Sequence, residues 1–191
     1  MSADTPPSPV YDGFASPPPT YPIGVPIADK VSVATIDQRT ATRVYEAHHS
    51  YLDRGRCGWH YGVYLEDGLV GAITFDNWPS QSEIRGHESA DIREVARVCV
   101  AHETPNLASC AMAKAQDTFV DQHGDEFDLL LTYVHGEYEG SMFKALRGKG
   151  WEFDGISEGR NRGPHHGESE IYDIYKTDKE RWVCEIGGVS T

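Results

Sequence analysis

Between Glu94 and Lys114 the chain switches its hydrophobic period within a few residues. Glu94-Val-Ala-Arg-Val-Cys-Val100 reads as a buried strand, and His102-Glu-Thr-Pro-Asn106 as a short polar turn. Leu107-Ala-Ser-Cys-Ala-Met-Ala-Lys114 then reads as the start of a helix rich in small residues. A strand that enters a helix this tightly aims the backbone N–H groups of the helix's first turn beyond the strand end. Those groups have no acceptor within the helix, so they form a site for an anion. The unit therefore calls for an α/β fold and for a ligand that carries phosphate.

The rest of the chain fits around that unit. Residues 1–29 hold eight of the eleven prolines, including Pro17-Pro18-Pro19. Such a stretch favours extended geometry and builds no core, so it reads as a tail that drapes over a single domain of residues 30–191. Val31 to Ile36 alternates as a strand, and Asp37 caps a helix that runs through His48. Trp59 to Leu65 and Leu69 to Phe75 are strands joined by a hairpin turn at Asp67-Gly68. Asn77 to Ser89 is a polar loop, and Ile92 to Val100 the next strand. Ala108 to Gln122 is a helix with Met112, Ala115, Phe119 and Val120 on one face. Leu129 to Val134 is a strand buried on both sides. Ser141 caps a short helix to Arg147, ended by Gly148 and Gly150. Trp151 to Ile156 and Ile171 to Lys176 are strands on either side of a polar loop. The order β-α-β-β-β-α-β-α-β-β describes a mixed sheet flanked by helices.

Composition narrows the partners. The formal net charge of −13, with arginine outnumbering lysine, repels nucleic acid except where positive charge is locally clustered. The same balance suits a very salty, halophilic cytoplasm, where screening removes the long-range penalty. No apolar run approaches the roughly 18 residues of a membrane span, and the N-terminus lacks the features of a secretory signal. Cys57, Cys99, Cys110 and Cys184 are widely spaced, as free thiols of a reduced cytoplasmic protein would be.

Several residues carry chemistry, each with a plainer structural role beside it. Asn106 and Ser109 either cap the helix or help hold a phosphate. Glu94 and Arg97, three apart, point to opposite faces of a regular strand, and Glu94 is a candidate base. Tyr133 and His135 share a face at a strand end, as an acid/base pair or as packed rings. His48, His49 and Tyr51 follow the first helix, where His49 is a base candidate near neutral pH. Arg54 and Arg56, and Arg160 and Arg162 in the one locally basic loop, can meet phosphates. Trp78, in a polar loop, is placed to stack on an extruded base. Adjacent histidines at 48–49 and 165–166 give no metal-site spacing, and the metal requirement stays open.

The element order resembles that of the GNAT acyltransferases over roughly Lys30 to Lys176. The resemblance implies acetyl-CoA or another acyl-CoA as cofactor. Its diphosphate would be held by Val98, Cys99 and Val100 and by Asn106, Leu107, Ala108 and Ser109. Met142-Phe-Lys-Ala-Leu followed by Gly150-Trp-Glu-Phe-Asp-Gly155 is similar to the family's closing helix and strand. Two positions depart from the pattern. The glycine-rich pyrophosphate loop is missing, and Phe143 stands where a tyrosine acid is common. A divergent branch, the phage Mom-like DNA-modification proteins, resembles this chain in more of its motifs. These are His48-His-Ser-Tyr51, Tyr61-Gly62, Glu94 to Arg97, Asn106 to Ser109 and Thr132-Tyr133, with His135 where the branch tends to carry an aspartate. That likeness implies modification of adenine in DNA. Glu94, Tyr133, His135 and His49 would be catalytic, and Tyr51, Arg54, Arg56, Trp78, Arg160 and Arg162 would hold the substrate. The alternatives are acetylation of a small amine or a protein N-terminus, and a non-catalytic interaction protein of the same fold.

Overall fold

The computed structural model describes residues 18–48, 57–77, 86–87, 90–159 and 177–186. The strands are β1 (Val31–Thr35), β2 (Trp59–Leu65), β3 (Gly68–Asn77), β4 (Ile92–Val100), β5 (Leu129–His135), β6 (Trp151–Ser157) and β7 (Lys179–Glu185). The α-helices are α1 (Gln38–His48), α2 (Leu107–His123) and α3 (Ser141–Ala145). All seven strands form one sheet in the order β1-β2-β3-β4-β5-β7-β6. The expected mixed sheet, its element order and its flanking helices are those observed.

The last described strand is β7, and the expected strand at residues 171–176 lies outside the described residues. Two local expectations need correction. The hairpin turns on Glu66 and Asp67 rather than on Asp67-Gly68. Leu65 already pairs with Gly68, and Glu66 takes the left-handed conformation at φ 54°. Gly140, at φ 57°, occupies the N-cap of α3 that Ser141 was expected to fill. A Cβ at Gly140 would meet the Glu180 carboxylate at 2.2 Å and the Trp182 ring at 2.7 Å, so the cap is reserved for glycine.

The larger core lies between the sheet and α2. Leu107, Ala111, Met112, Ala115, Gln116 and Phe119 recur at helical spacing and are buried, with Gln116 in the stripe in place of the expected Val120. Phe119 stacks on Phe75 at 4.4 Å between ring centres, and Trp59 meets it edge-on at 5.6 Å. Each such side chain contributes about 1.5–3 kcal/mol by leaving water. On the opposite face, Ala41, Val44 and Tyr45 of α1 pack on Leu69, Ala72 and Cys99. Asp37 Oδ1 accepts from the Thr40 N–H at 2.7 Å, which starts α1 where the sequence placed its cap.

Under α1 a buried polar chain crosses the sheet. Tyr45 Oη and His60 Nδ1 lie 2.6 and 2.8 Å from Thr74 Oγ1. Burial lowers the His60 pKa below its ordinary value, with Asp76 and Asp37 opposing. The unfolded chain therefore takes up this proton more readily than the fold, so stability is lost as pH falls below about 6.5. Urea unfolding at pH 7.5 and 5.5 should show a larger loss for the wild type than for His60→Asn. Equal losses would exclude His60 as the source.

Candidate active site

The site arises where β4 and β5 part. The two run parallel and pair over three positions only, Ile92 with Leu129, Arg93 with Leu130 and Glu94 with Leu131. At the fork, Thr132 Oγ1 donates to the Val95 carbonyl at 2.9 Å, so a side chain replaces the next ladder bond. Beyond it β4 continues to Val100 along β3, and β5 continues to His135 along β7. The diverging strands enclose a cavity of about 430 Å³, within the range of ligand pockets. It is walled by residues 95–100 of β4, residues 132–135 of β5 and the first residues of α3, and it reaches Ala108 in the first turn of α2.

An irregularity in β4 decides which side chains face which way. Thr74 pairs with Arg97 and Phe75 with Val95, so Ala96 is an extra residue in the ladder. Glu94 and Arg97 then stand opposite Asp76 and Thr74, two apart on β3, and so share the face that α1 covers. This corrects the expectation of opposite faces, which holds only for an unbulged strand. Glu94 and Arg97 both act on the charge of Lys179. Lys179 is opposite His135 in register, as Arg181 is opposite Tyr133. Burial lowers the Lys179 pKa, Glu94 opposes that shift and Arg97 adds to it.

Tyr133 and His135 both line the cavity, with Tyr138 and Lys179 beside them. His135 Nδ1 accepts the Glu137 N–H at 3.4 Å, an arrangement that places a ring proton on Nε2. His48, the last residue of α1, also reaches the cavity, and burial lowers its pKa. Phe143 is 3% exposed and packs against Trp151 at 4.6 Å between ring centres, so it forms an apolar wall. Glu94 is half-buried on the same face but outside the cavity lining.

Of the expected cofactor residues, Val98, Cys99, Val100 and Ala108 line the cavity. Cys99 is itself buried, and burial pushes its thiol up to about 11. Leu107 is 1% exposed and packs in the core. Asn106 takes the N-cap position at φ 62° without capping through its side chain, while Ser109 Oγ donates to the Asn106 carbonyl at 3.0 Å. His49, Tyr51, Arg54, Arg56, Trp78, Arg160 and Arg162 lie outside the described residues. Tyr138 and Lys179 were missed by the sequence reading. The alternation of Lys179, Arg181 and Val183 against Glu180, Trp182 and Cys184 was the available signal for the second. No group of histidine, cysteine or carboxylate side chains among the described residues is arranged to hold a metal.

No protein-family model matches the chain, and no curated protein matches it. Solved structures do. A yncA structure from Salmonella typhimurium with its cofactor acetyl-CoA superposes with a TM-score of 0.54 at 12% identity, over 84% of this chain and 96% of that one. The fold is that of the GNAT acetyltransferases. Arabidopsis thaliana Naa50, bound to the bisubstrate analogue CoA-Ac-MVNAL, matches at TM-score 0.52 and 12% identity over 81% of this chain and 97% of that one. The spermidine/spermine N-acetyltransferase SpeG from Vibrio cholerae matches at TM-score 0.54 and 10% identity, over 84% and 95%. In this chain the GNAT fold carries its cavity at the fork of β4 and β5. Among the described residues no helix is long and apolar enough to cross a membrane.

Proposed function

We propose that this protein transfers an acyl group from acyl-CoA, acetyl-CoA in the first instance, to an amine nitrogen. The carrying observation is the fork between β4 and β5, whose cavity runs to the first turn of α2. The residues suit the cofactor. The Asn106 side chain makes no capping bond to the first turn of α2, which suits a phosphate there, and the apolar wall of Met142 and Phe143 suits a thioester arm. The bound thioester supplies an activated carbonyl, to which the amine adds as the C–N bond forms and the C–S bond breaks. Glu94 is the candidate to accept the amine proton, directly or through water. Tyr133, and His135 through its protonated Nε2, are candidates to return a proton to the leaving sulfur.

The acceptor we favour is adenine in DNA, the reading that the Mom-like motifs imply. Arg97, Lys179, His48 and His135 line the cavity, and no carboxylate does so among the described residues. That lining favours an amine carried by a phosphate-bearing molecule over a polyamine. The second reading is a small amine or a protein N-terminus, the acceptors named for SpeG and suggested by the peptide analogue on Naa50. The net charge of −13 supports it, because cationic acceptors would be drawn in. Two measurements decide. Calorimetry in molar salt should detect acetyl-CoA binding, and its absence would remove both enzymatic readings. Mass analysis of nucleosides from DNA co-expressed with the protein should show an acylated adenine. Unmodified adenine, with turnover of a peptide or polyamine, would transfer the proposal to the second acceptor class.

A further inference from the structure

The described part of the proline-rich segment is bonded to the turn between β4 and α2. The Tyr21 N–H donates to Thr104 Oγ1 at 3.0 Å. His102 Nε2 lies 3.2 Å from the Pro18 carbonyl, and the Thr104 N–H lies 3.3 Å from His102 Nδ1. A carbonyl only accepts and an N–H only donates, so a single neutral tautomer, protonated on Nε2, serves both bonds. Pro18 lies against Gly68, where a Cβ would come within 2.8 Å of its ring. Farther along, the Tyr21 hydroxyl donates to Glu66, and Lys30 Nζ stands 4.7 Å from the centre of the Tyr21 ring. Pro18 and Tyr21 thus each touch both the β2–β3 hairpin and the turn that launches α2.

That turn holds little of its own structure. Ala101 N–H donates to Val70 O and Leu107 N–H to Thr104 O, while Asn106 occupies the left-handed region at φ 62° without being glycine. A non-glycine residue there costs about 1 kcal/mol, which the surroundings must offset. Thr104 is 4% exposed and takes part in three of these bonds, through its N–H, its carbonyl and its hydroxyl. Ala108, two residues beyond Asn106, is where α2 reaches the cavity.

We propose that residues 18–21 are a strap that positions the β4–α2 turn, and that through Thr104 and His102 they set the affinity of the first turn of α2 for its anionic ligand. The strap supplies from outside the order that the turn's own sequence lacks. Its prolines suit the task, since a chain already restricted in φ loses less freedom when it is pinned.

The test uses the full chain with Thr104→Val, which keeps the shape and removes the hydroxyl, and Thr104→Ser, which keeps the hydroxyl. Hydrogen exchange is measured in the protein alone, and acetyl-CoA binding by calorimetry. In Thr104→Val the amides of residues 104 and 106–109 should exchange about tenfold faster, and acetyl-CoA should bind about tenfold more weakly, as for one lost hydrogen bond. Thr104→Ser should remain near wild type in both. Should Thr104→Val fail to fold, His102→Ala, which removes the other two bonds, is expected to give the same exchange result. Unchanged exchange at residues 104 and 106–109, or equal loss in the serine variant, overturns the strap. The affinity arm rests on the acyl-CoA reading and the exchange arm does not. A wild type that ignores acetyl-CoA therefore rejects that reading, while exchange still decides the strap.

Discussion

Gly71→Val is expected to remove a large part of the protein's stability and to lower its urea midpoint well below that of the wild type. A Cβ at Gly71 would lie 2.3 Å from the Cys99 carbonyl oxygen and 3.0 Å from the Val100 Cα. Both neighbours are backbone, so no side chain can swing aside, and a β-branched residue fills the same gap with two more methyl groups. Relief requires β3 and β4 to separate at the Gly71–Val100 pair. That stretch of β4 has already left β5, so among the described residues β3 is the only strand it pairs with there. Overpacking of this kind costs about 3 kcal/mol or more, a large part of the 5–15 kcal/mol that holds a typical domain. Urea unfolding followed by circular dichroism reads the effect. Gly148→Ala is the control, since nothing lies within 4 Å of a Cβ there, and it should stay within about 0.5 kcal/mol of wild type. A Gly71→Val protein with a wild-type midpoint would mean that the strands approach less closely than described.

Gln116→Leu is expected to cost about 2–4 kcal/mol although it is nearly isosteric. Gln116 is buried on α2, and its Oε1 accepts from Trp151 Nε1 at 2.8 Å. Its Nε2 lies 3.0 Å from the Lys149 carbonyl and 3.2 Å from Cys184 Sγ. One amide thus ties α2 to the turn before β6, to the fully buried indole of Trp151 and to β7. Leucine strands the indole N–H without water, at about 1–3 kcal/mol, and leaves the Lys149 carbonyl with the weaker Cys184 thiol at 3.4 Å. Gln116→Glu sharpens the test. A carboxylate can accept from the indole but repels the carbonyl, whereas a protonated carboxyl satisfies both. Its stability relative to wild type should recover as pH falls, because burial raises the pKa of the new carboxyl. Thermal unfolding at pH 7 and pH 5 would show it. A leucine variant as stable as wild type would mean that the three bonds are replaced elsewhere.

What could be read from the chain alone was periodic and local. Strands β1 to β6 follow from alternation or apolar runs, and Asp37 caps α1 as its side-chain chemistry dictates. The strand-turn-helix at Glu94 to Lys114 was legible because the period changes there. What escaped was set by neighbours. The extra residue at Ala96 leaves no trace in the local pattern, yet it turns Arg97 to the side of Glu94. The left-handed Glu66 and the glycine-capped α3 depend on what surrounds them, since Asp67-Gly68 and Ser141 are the better local signals. Strand β7 was overlooked because its charged first half, Lys179-Glu-Arg181, resembles a solvated tail until Trp182 and Cys184 are seen to be buried. Lys179 was lost with it. Tyr138 stands between two glutamates and carries no periodic mark, so only the packing of the 135–138 turn brings it to the cavity.

The position of β7 also has a consequence for the order in which the protein can assemble during synthesis. In the sheet it lies between β5 and β6, although both precede it in the chain. One half of the sheet, β1 to β4, has all its strands in hand once Val100 has emerged, and β2 and β3 are joined by a two-residue turn. The other half has a vacancy at its centre until residues 179–185 arrive, so β6 has no neighbour and β5 is held only at its first three residues. The walls of the cavity are therefore completed by the last described strand to leave the ribosome. A nascent chain halted before Lys179 would carry a formed β1–β4 meander and no functional cavity.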